Sequence, residues 1–148
     1  MATQPSVLLF VYGTLLTVAR HPMGDLLREK ARPAGLGSIQ ARLYVIQDPD
    51  DPRNAYPGAK PSGDPRDRVH GALYEIVSDV EAVLAELDRY EACTPDWPEP
   101  HEFLRRRVPV RREDGSTCHA VCYLYTWDVS DARPIATGRY DIYSPDVR

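Results

Sequence analysis

The apolar run Val7 to Tyr12 breaks abruptly into Gly13-Thr14-Leu15, and this is the feature that most constrains the fold. The run is short, continuous and apolar, so it reads as a buried strand rather than as a helix. A turn at its end exposes backbone N–H groups at a strand terminus, the kind of position where small-molecule sites are built. The chain has 148 residues and is expected to form one domain, with a core large enough to need no staples.

The remaining elements point to α+β. The region His21 to Ala31, with Pro22 near its start, predicts a short helix, and Gly35 and Gly37 then lead into a strand over Ser38 to Ile46 with Ile39, Ala41, Leu43 and Val45 on one face. Gln47 to Arg68 contains Pro49, Pro52, Pro57, Pro61 and Pro65, which excludes a regular helix or a central strand. A long loop is expected there, either a lid over a pocket or a tolerated insertion. Val69 to Val77 predicts another strand. Ser78 with Glu81 three residues later predicts a capping box opening a helix whose Val80, Val83, Leu84 and Leu87 share one face. Phe103 to Arg111 and Cys118 to Trp127 predict two strands joined as a hairpin through Asp114-Gly115. Strands outnumber helices without regular alternation, so the sequence predicts a mainly antiparallel or mixed sheet, including a small barrel among its forms.

Composition narrows the function. Six apolar residues near the start, with no basic segment before them, are too few for a signal peptide or a membrane span, so a cytoplasmic protein is expected. A net charge of -4 gives no general reason to bind nucleic acid or an anionic membrane, and Arg105, Arg106, Arg107, Arg111 and Arg112 lack interleaved aromatics, so they read as a solvated strand face. Cys93, Cys118 and Cys122 are an odd set that argues against a disulfide framework. Cys118-His119 with Cys122 is followed by no second ligand pair of zinc-like spacing, and period 2 sets His119 on the face opposite both cysteines, so no metal site is expected.

One carboxylate falls on the wrong face of the second helix. At about 100° per residue, Glu91 projects about 20° from Val80 and Leu84 and about 40° from Leu87, along the buried stripe. Burial and the negative helix end both disfavour its ionised form and raise its pKa toward neutrality, where a proton shuttle works best. The alternatives are that the helix ends before Glu91, which then faces water, or that an arginine pairs with it. Glu81, Glu86 and Asp88 fall on the polar side and are expected in solvent.

An ordered series of short motifs resembles the γ-glutamylcyclotransferase-like superfamily, in its AIG2-like and γ-glutamylamine cyclotransferase branch. The series runs from Val11-Tyr12-Gly13-Thr14-Leu15 through Tyr56-Pro57-Gly58 and Val69-His70-Gly71-Ala72-Leu73-Tyr74 to Leu87-Asp88-Arg89-Tyr90-Glu91 and Phe103-Leu104-Arg105. The resemblance implies a small mixed β-barrel flanked by helices and a cofactor-independent reaction. In that reaction the α-amino group of a γ-glutamyl amine or amino acid attacks its own γ-carbonyl, giving 5-oxoproline and the free amine. It implies Glu91 as general acid/base, and substrate contacts from Tyr12, Gly13, Thr14, Leu15, Tyr56 and Pro57. The partner implied is a small γ-glutamyl metabolite. Two departures from the family pattern are Phe103, where a tyrosine is common, and Gly138-Arg139-Tyr140 in place of a Gly-Asp-Trp-like segment. Signals of the glutathione-specific relatives are missing, which makes glutathione a less expected substrate. The other function expected of such a chain is a non-catalytic module holding a small acid or a peptide in the same cavity.

Overall fold

The computed structural model describes residues 7–12, 26, 28–48, 50, 51, 55–91 and 93–140. In chain order its elements are β1 (Val7–Val11), β2 (Ala31–Gln47), β3 (Ala55–Pro61), β4 (Arg68–Ile76), α1 (Val80–Tyr90), β5 (Phe103–Arg112), β6 (Thr117–Tyr125) and β7 (Arg133–Ile135). β1 lies between β4, to which it runs antiparallel from Val7↔Ile76 to Val11↔Ala72, and β6, to which it runs parallel at Leu9↔Val121. Five strands follow in the order β2-β4-β1-β6-β5, and β5 returns to β2 through Gly37↔Arg112 and Ser38↔Arg111. The sheet is therefore a closed, mixed five-stranded barrel, and closure removes the edges that would otherwise invite pairing with other chains.

β1 is apolar throughout because both its faces are buried. Phe10 and Tyr12 join the barrel interior with Leu43, Leu73, Val110 and Leu124, whereas Leu9 and Val11 join Ile76, Val83 and Leu87 beneath α1. β6 divides the same way, Ala120, Cys122 and Leu124 pointing in and Tyr123 and Tyr125 pointing toward the helix layer. Gly71 in β4 lets that strand lie close to β1, since a Cβ there would sit 2.3 Å from the Val11 carbonyl oxygen.

Past Gln40, β2 leaves the barrel pairing and takes two new neighbours. β3 pairs with it from Ala41↔Pro61 to Gln47↔Ala55, and β7 pairs with it from Leu43↔Ile135 to Val45↔Arg133. The turn between β3 and β4 is fixed by short polar side chains: Ser62 Oγ donates to Asp67 at 2.6 Å, and Arg66 N donates to Asp64 at 2.9 Å.

The strands expected at Val7, Val69, Phe103 and Cys118 are present, as is the Asp-Gly hairpin, and α1 buries Val83 and Leu87 as its period requires. Four expectations need correction. The helix predicted over His21 to Ala31 stops earlier: residues 26 and 28–30 are helical, residues 21–25 and 27 lie outside the described residues, and Ala31 already begins β2 by pairing with Ile76. The strand expected from Ser38 thus starts seven residues sooner, with a register shift between Pro33 and Leu36 where Gly35 takes φ 100°. The segment Gln47 to Arg68 is not a structureless loop, because β3 occupies its middle. β3 stands at the end of the strand order, where the N–H groups missing at Pro57 and Pro61 are tolerated. Finally, Ser78 does not cap α1. The cap is Asp79 at φ 50°, whose side chain makes no capping bond and is held instead by Lys30 Nζ at 2.9 Å.

Leu87 is fully buried where α1 meets the barrel. Leu87→Ala is expected to lower the unfolding free energy by about 2–5 kcal/mol. Urea unfolding followed by circular dichroism checks this, with the midpoint falling at unchanged slope.

Candidate active site

Tyr12 closes β1, and its hydroxyl ties three strands together. It donates to the Tyr123 carbonyl of β6 at 2.7 Å and accepts the Ala59 N–H of β3 at 3.2 Å. The residue is buried in the barrel core, and burial pushes its pKa well above the ordinary tyrosine value. Tyr12 is thus a strut at the barrel mouth whose hydroxyl is already engaged. Gly13, Thr14 and Leu15, the expected anion-holding turn, lie outside the described residues.

Glu91 follows the last residue of α1 and remains tied to it, its N–H donating to the Leu87 carbonyl at 2.9 Å. The helix therefore persists far enough to carry the side chain along the buried stripe. Burial, reinforced by the charge of Glu102, raises the Glu91 pKa from 4.5 to about 7. The negative end of α1 acts in the same direction. Burial is the main cause that raises the pKa values of Tyr12, Cys122 and Cys93, and the Glu91 charge adds to it in each. Among the described residues no cation or hydrogen-bond donor engages that carboxyl. The alternative of a pairing with one of the arginines is not seen among the described residues, and Arg105 Nε lies 3.6 Å from Asp88 instead.

Glu102, immediately before β5, is the member of the site that sequence reasoning missed. Its carboxylate accepts a hydrogen bond from Tyr56, and its main-chain carbonyl accepts the Thr126 N–H at 2.8 Å. Burial raises its pKa, against the lowering effect of the Tyr56 hydroxyl. Tyr56 begins a line of aromatic rings: Phe103 lies 6.1 Å away, Tyr125 lies 5.3 Å beyond and edge-on, and Trp127 a further 6.4 Å. Gly58 makes room for this line, because a Cβ there would stand 2.9 Å from the Tyr125 ring. Glu102 is near enough for its charge to act on Glu91, and Tyr56 is joined to the pair through Glu102, whereas Pro57 is buried in β3 opposite Val45. Tyr56-Pro57-Gly58 is a strand segment, not a Pro-Gly turn.

Asp88 also differs from expectation. It accepts the Tyr123 hydroxyl at 2.6 Å and is mostly covered, so it locks α1 to β6 rather than facing solvent. At 80° from Val80 it sits on the flank of the buried stripe, a borderline that the wheel resolves poorly. Cys122 faces the barrel interior, and His119 is exposed on the other face, as period 2 requires. Arg105, Arg106 and Arg107 are exposed, a solvated strand face.

Residues 9–142 match the family of gamma-glutamyl cyclotransferase, AIG2-like proteins. The chain belongs to this family. No curated protein matches it by sequence. Among solved structures of the gamma-glutamyl cyclotransferase fold, an AIG2-like protein from Mus musculus superposes with a TM-score of 0.67 at 19% identity, over 96% of this chain and 92% of that one. An uncharacterised protein from Pyrococcus horikoshii gives 0.59 at 19% identity, over 93% and 92%. A structure named gamma-glutamyl cyclotransferase gives 0.59 at 17% identity, over 88% of this chain and 70% of that one. At these identities the likeness establishes the closed mixed barrel they share.

The raised pKa of Glu91 has a stability consequence of definite sign. Between 4.5 and about 7 the folded state holds a proton that the unfolded state has lost, so stability falls as pH rises through that window. Glu91→Gln removes the linkage. Urea unfolding over a pH series is expected to show the native chain and the variant alike in acid, then the native chain progressively less stable up to about pH 7 and constantly so above it. A pH-independent difference would contradict the burial of this carboxyl.

Proposed function

We propose that this protein is a γ-glutamyl cyclotransferase that converts a γ-glutamyl amine or amino acid into 5-oxoproline and the free amine, with Glu91 as the general acid/base. The observation that carries this reading is the Glu91 carboxyl itself, covered, without a cation partner among the described residues and held near pH 7. A structural carboxylate is normally paired, as Asp88 is with Tyr123 and Arg105. An unpaired one at neutral pKa serves proton transfer in both directions.

The chemistry is intramolecular and balanced without a cofactor. Glu91, ionised, takes a proton from the substrate α-ammonium. The freed amine nitrogen attacks the γ-carbonyl carbon, closing a five-membered ring and moving the carbonyl π electrons onto oxygen. Collapse of this tetrahedral adduct restores the carbonyl and breaks the bond to the departing nitrogen, which receives the proton from Glu91. The ring nitrogen gives its surplus proton to the Glu91 carboxylate, which passes it to the departing amine, so that the amine leaves as its ammonium. The enzyme is returned to its starting charge. We assign the main-chain N–H groups of Gly13, Thr14 and Leu15 to the substrate carboxylate or the developing oxyanion, the role their family motif implies. Holding the amine against the carbonyl supplies the rest of the acceleration. Tyr12 serves this site as a strut, and Tyr56 as the donor that fixes Glu102 beside it.

A non-catalytic module that holds a small acid or a peptide on the same barrel is the other reading, and the covered Glu91 carboxyl speaks against an anionic ligand beside it, because its ionised form would repel one. The test is incubation of the purified protein with γ-glutamyl amines, γ-glutamyl amino acids and glutathione, with mass-spectrometric detection of 5-oxoproline. Product is expected from at least one amine or amino-acid substrate, and Glu91→Gln is expected to lower kcat by about 10²–10⁴-fold. The pH profile of kcat/KM is expected to rise through about 7 as Glu91 becomes the base. Absence of product across the panel, or undiminished turnover in the variant, would overturn the assignment.

A further inference from the structure

Ser38 is a buried polar residue, 7% exposed, at the place where β2 passes from one barrel neighbour to the other. β4 and β5 flank it, with Gln40↔Arg68 on one side and Ser38↔Arg111 on the other. The Arg68 guanidinium folds over Ser38, Nε donating to its Oγ at 3.1 Å and Nη2 to its carbonyl at 2.8 Å. Arg111 comes from the facing strand. Both arginines line one cavity of about 290 Å³, whose walls include Ile39, Ala41, Val108 and Leu124.

Among the described residues no acidic side chain lines this cavity. Asp67, the chain neighbour of Arg68, is committed to Ser62 Oγ at 2.6 Å and lies 3.8 Å from Arg42. Among the described residues neither Arg68 nor Arg111 has a carboxylate partner. Two cations over an apolar wall, with no counter-charge among the described residues, favour a ligand that carries a negative group and an apolar body. Guanidinium forks match carboxylate and phosphate oxygens through paired N–H donors. The site is distinct from the barrel mouth, since Tyr12, Glu91, Cys93 and Glu102 do not line it.

We propose that this cavity is a second binding site, for a small organic anion whose carboxylate or phosphate lies between Arg68 and Arg111 and whose apolar body rests on Ile39, Ala41, Val108 and Leu124. Burial and the facing Arg111 charge both lower the Arg68 pKa from its ordinary value, a cost that a bound anion relieves. The volume is at the lower end of the range for ligand pockets, about 300–1,000 Å³, so the anion is small.

Isothermal titration calorimetry with hexanoate, hexyl phosphate and neutral hexanamide tests this. At least one anion is expected to bind about tenfold or more tightly than hexanamide, and the tighter of the two names the headgroup class. Arg111→Gln, an exposed change expected to keep the native Tm, is expected to weaken that anion by a similar factor. Glu91→Gln is expected to leave it unchanged, so this inference stands or falls apart from the cyclotransferase reading. Equal binding of hexanamide, no heat from either anion at millimolar concentration, full affinity in Arg111→Gln, or loss of binding in Glu91→Gln would each overturn it.

Discussion

β1 gives up both of its faces to apolar packing, and the arrangement of the molecule depends on that. Phe10 and Tyr12 fill the barrel, Leu9 and Val11 meet Val83 and Leu87 of α1, and each buried side chain of this size contributes roughly 1.5–3 kcal/mol. The strand thus locks the helix layer to the barrel over a single thickness of backbone. With α1 held by Val83 and Leu87, the same period that buries those residues carries Glu91 along the buried stripe, one turn past Leu87. Tyr12, at the end of β1, ties β3 and β6 together with one hydroxyl.

Two carboxylates near each other at the end of α1 are then treated differently by their surroundings. Asp88 is given a tyrosine hydroxyl and an arginine, and it braces the helix. Glu91 is given a covered position and another acid, Glu102, as its neighbour, and both effects favour its protonated form. Tyr56 steadies Glu102 while the aromatic line of Phe103, Tyr125 and Trp127 walls that side. The raised pKa of Glu91 is thus a product of packing first and of local charge second.

The elements set by local periodicity were legible in the sequence. α1 shows its 3.6 period openly, so Glu91 could be placed on the buried stripe before any fold was known, and the Asp114-Gly115 hairpin announces its own turn. What depends on distant pairing was not legible. Ala31 to Gly37 contains Pro33, Gly35 and Gly37, yet pairing with β4 holds it as strand. Ala55 to Pro61 has the composition of a loop, and it is a strand because β2 supplies one edge partner and the Tyr12 hydroxyl receives the Ala59 N–H on the barrel. Glu102 lies in Glu99-Pro100-His101-Glu102, a stretch without periodicity, and only the fold brings it to Tyr56 and Glu91. The Gly13 to Leu15 turn was read from the abrupt end of the apolar run, and it lies outside the described residues.

Proton transfer by Glu91 depends on one property, a carboxyl poised at neutrality by burial and by Glu102. Carbon-13 NMR titration of the side-chain carboxyls in protein labelled at glutamate, assigned with Glu91→Gln, measures it directly. A midpoint near 7 that moves down in Glu102→Gln is the result expected. A Glu91 midpoint in the ordinary range, near 4.3, would contradict the account.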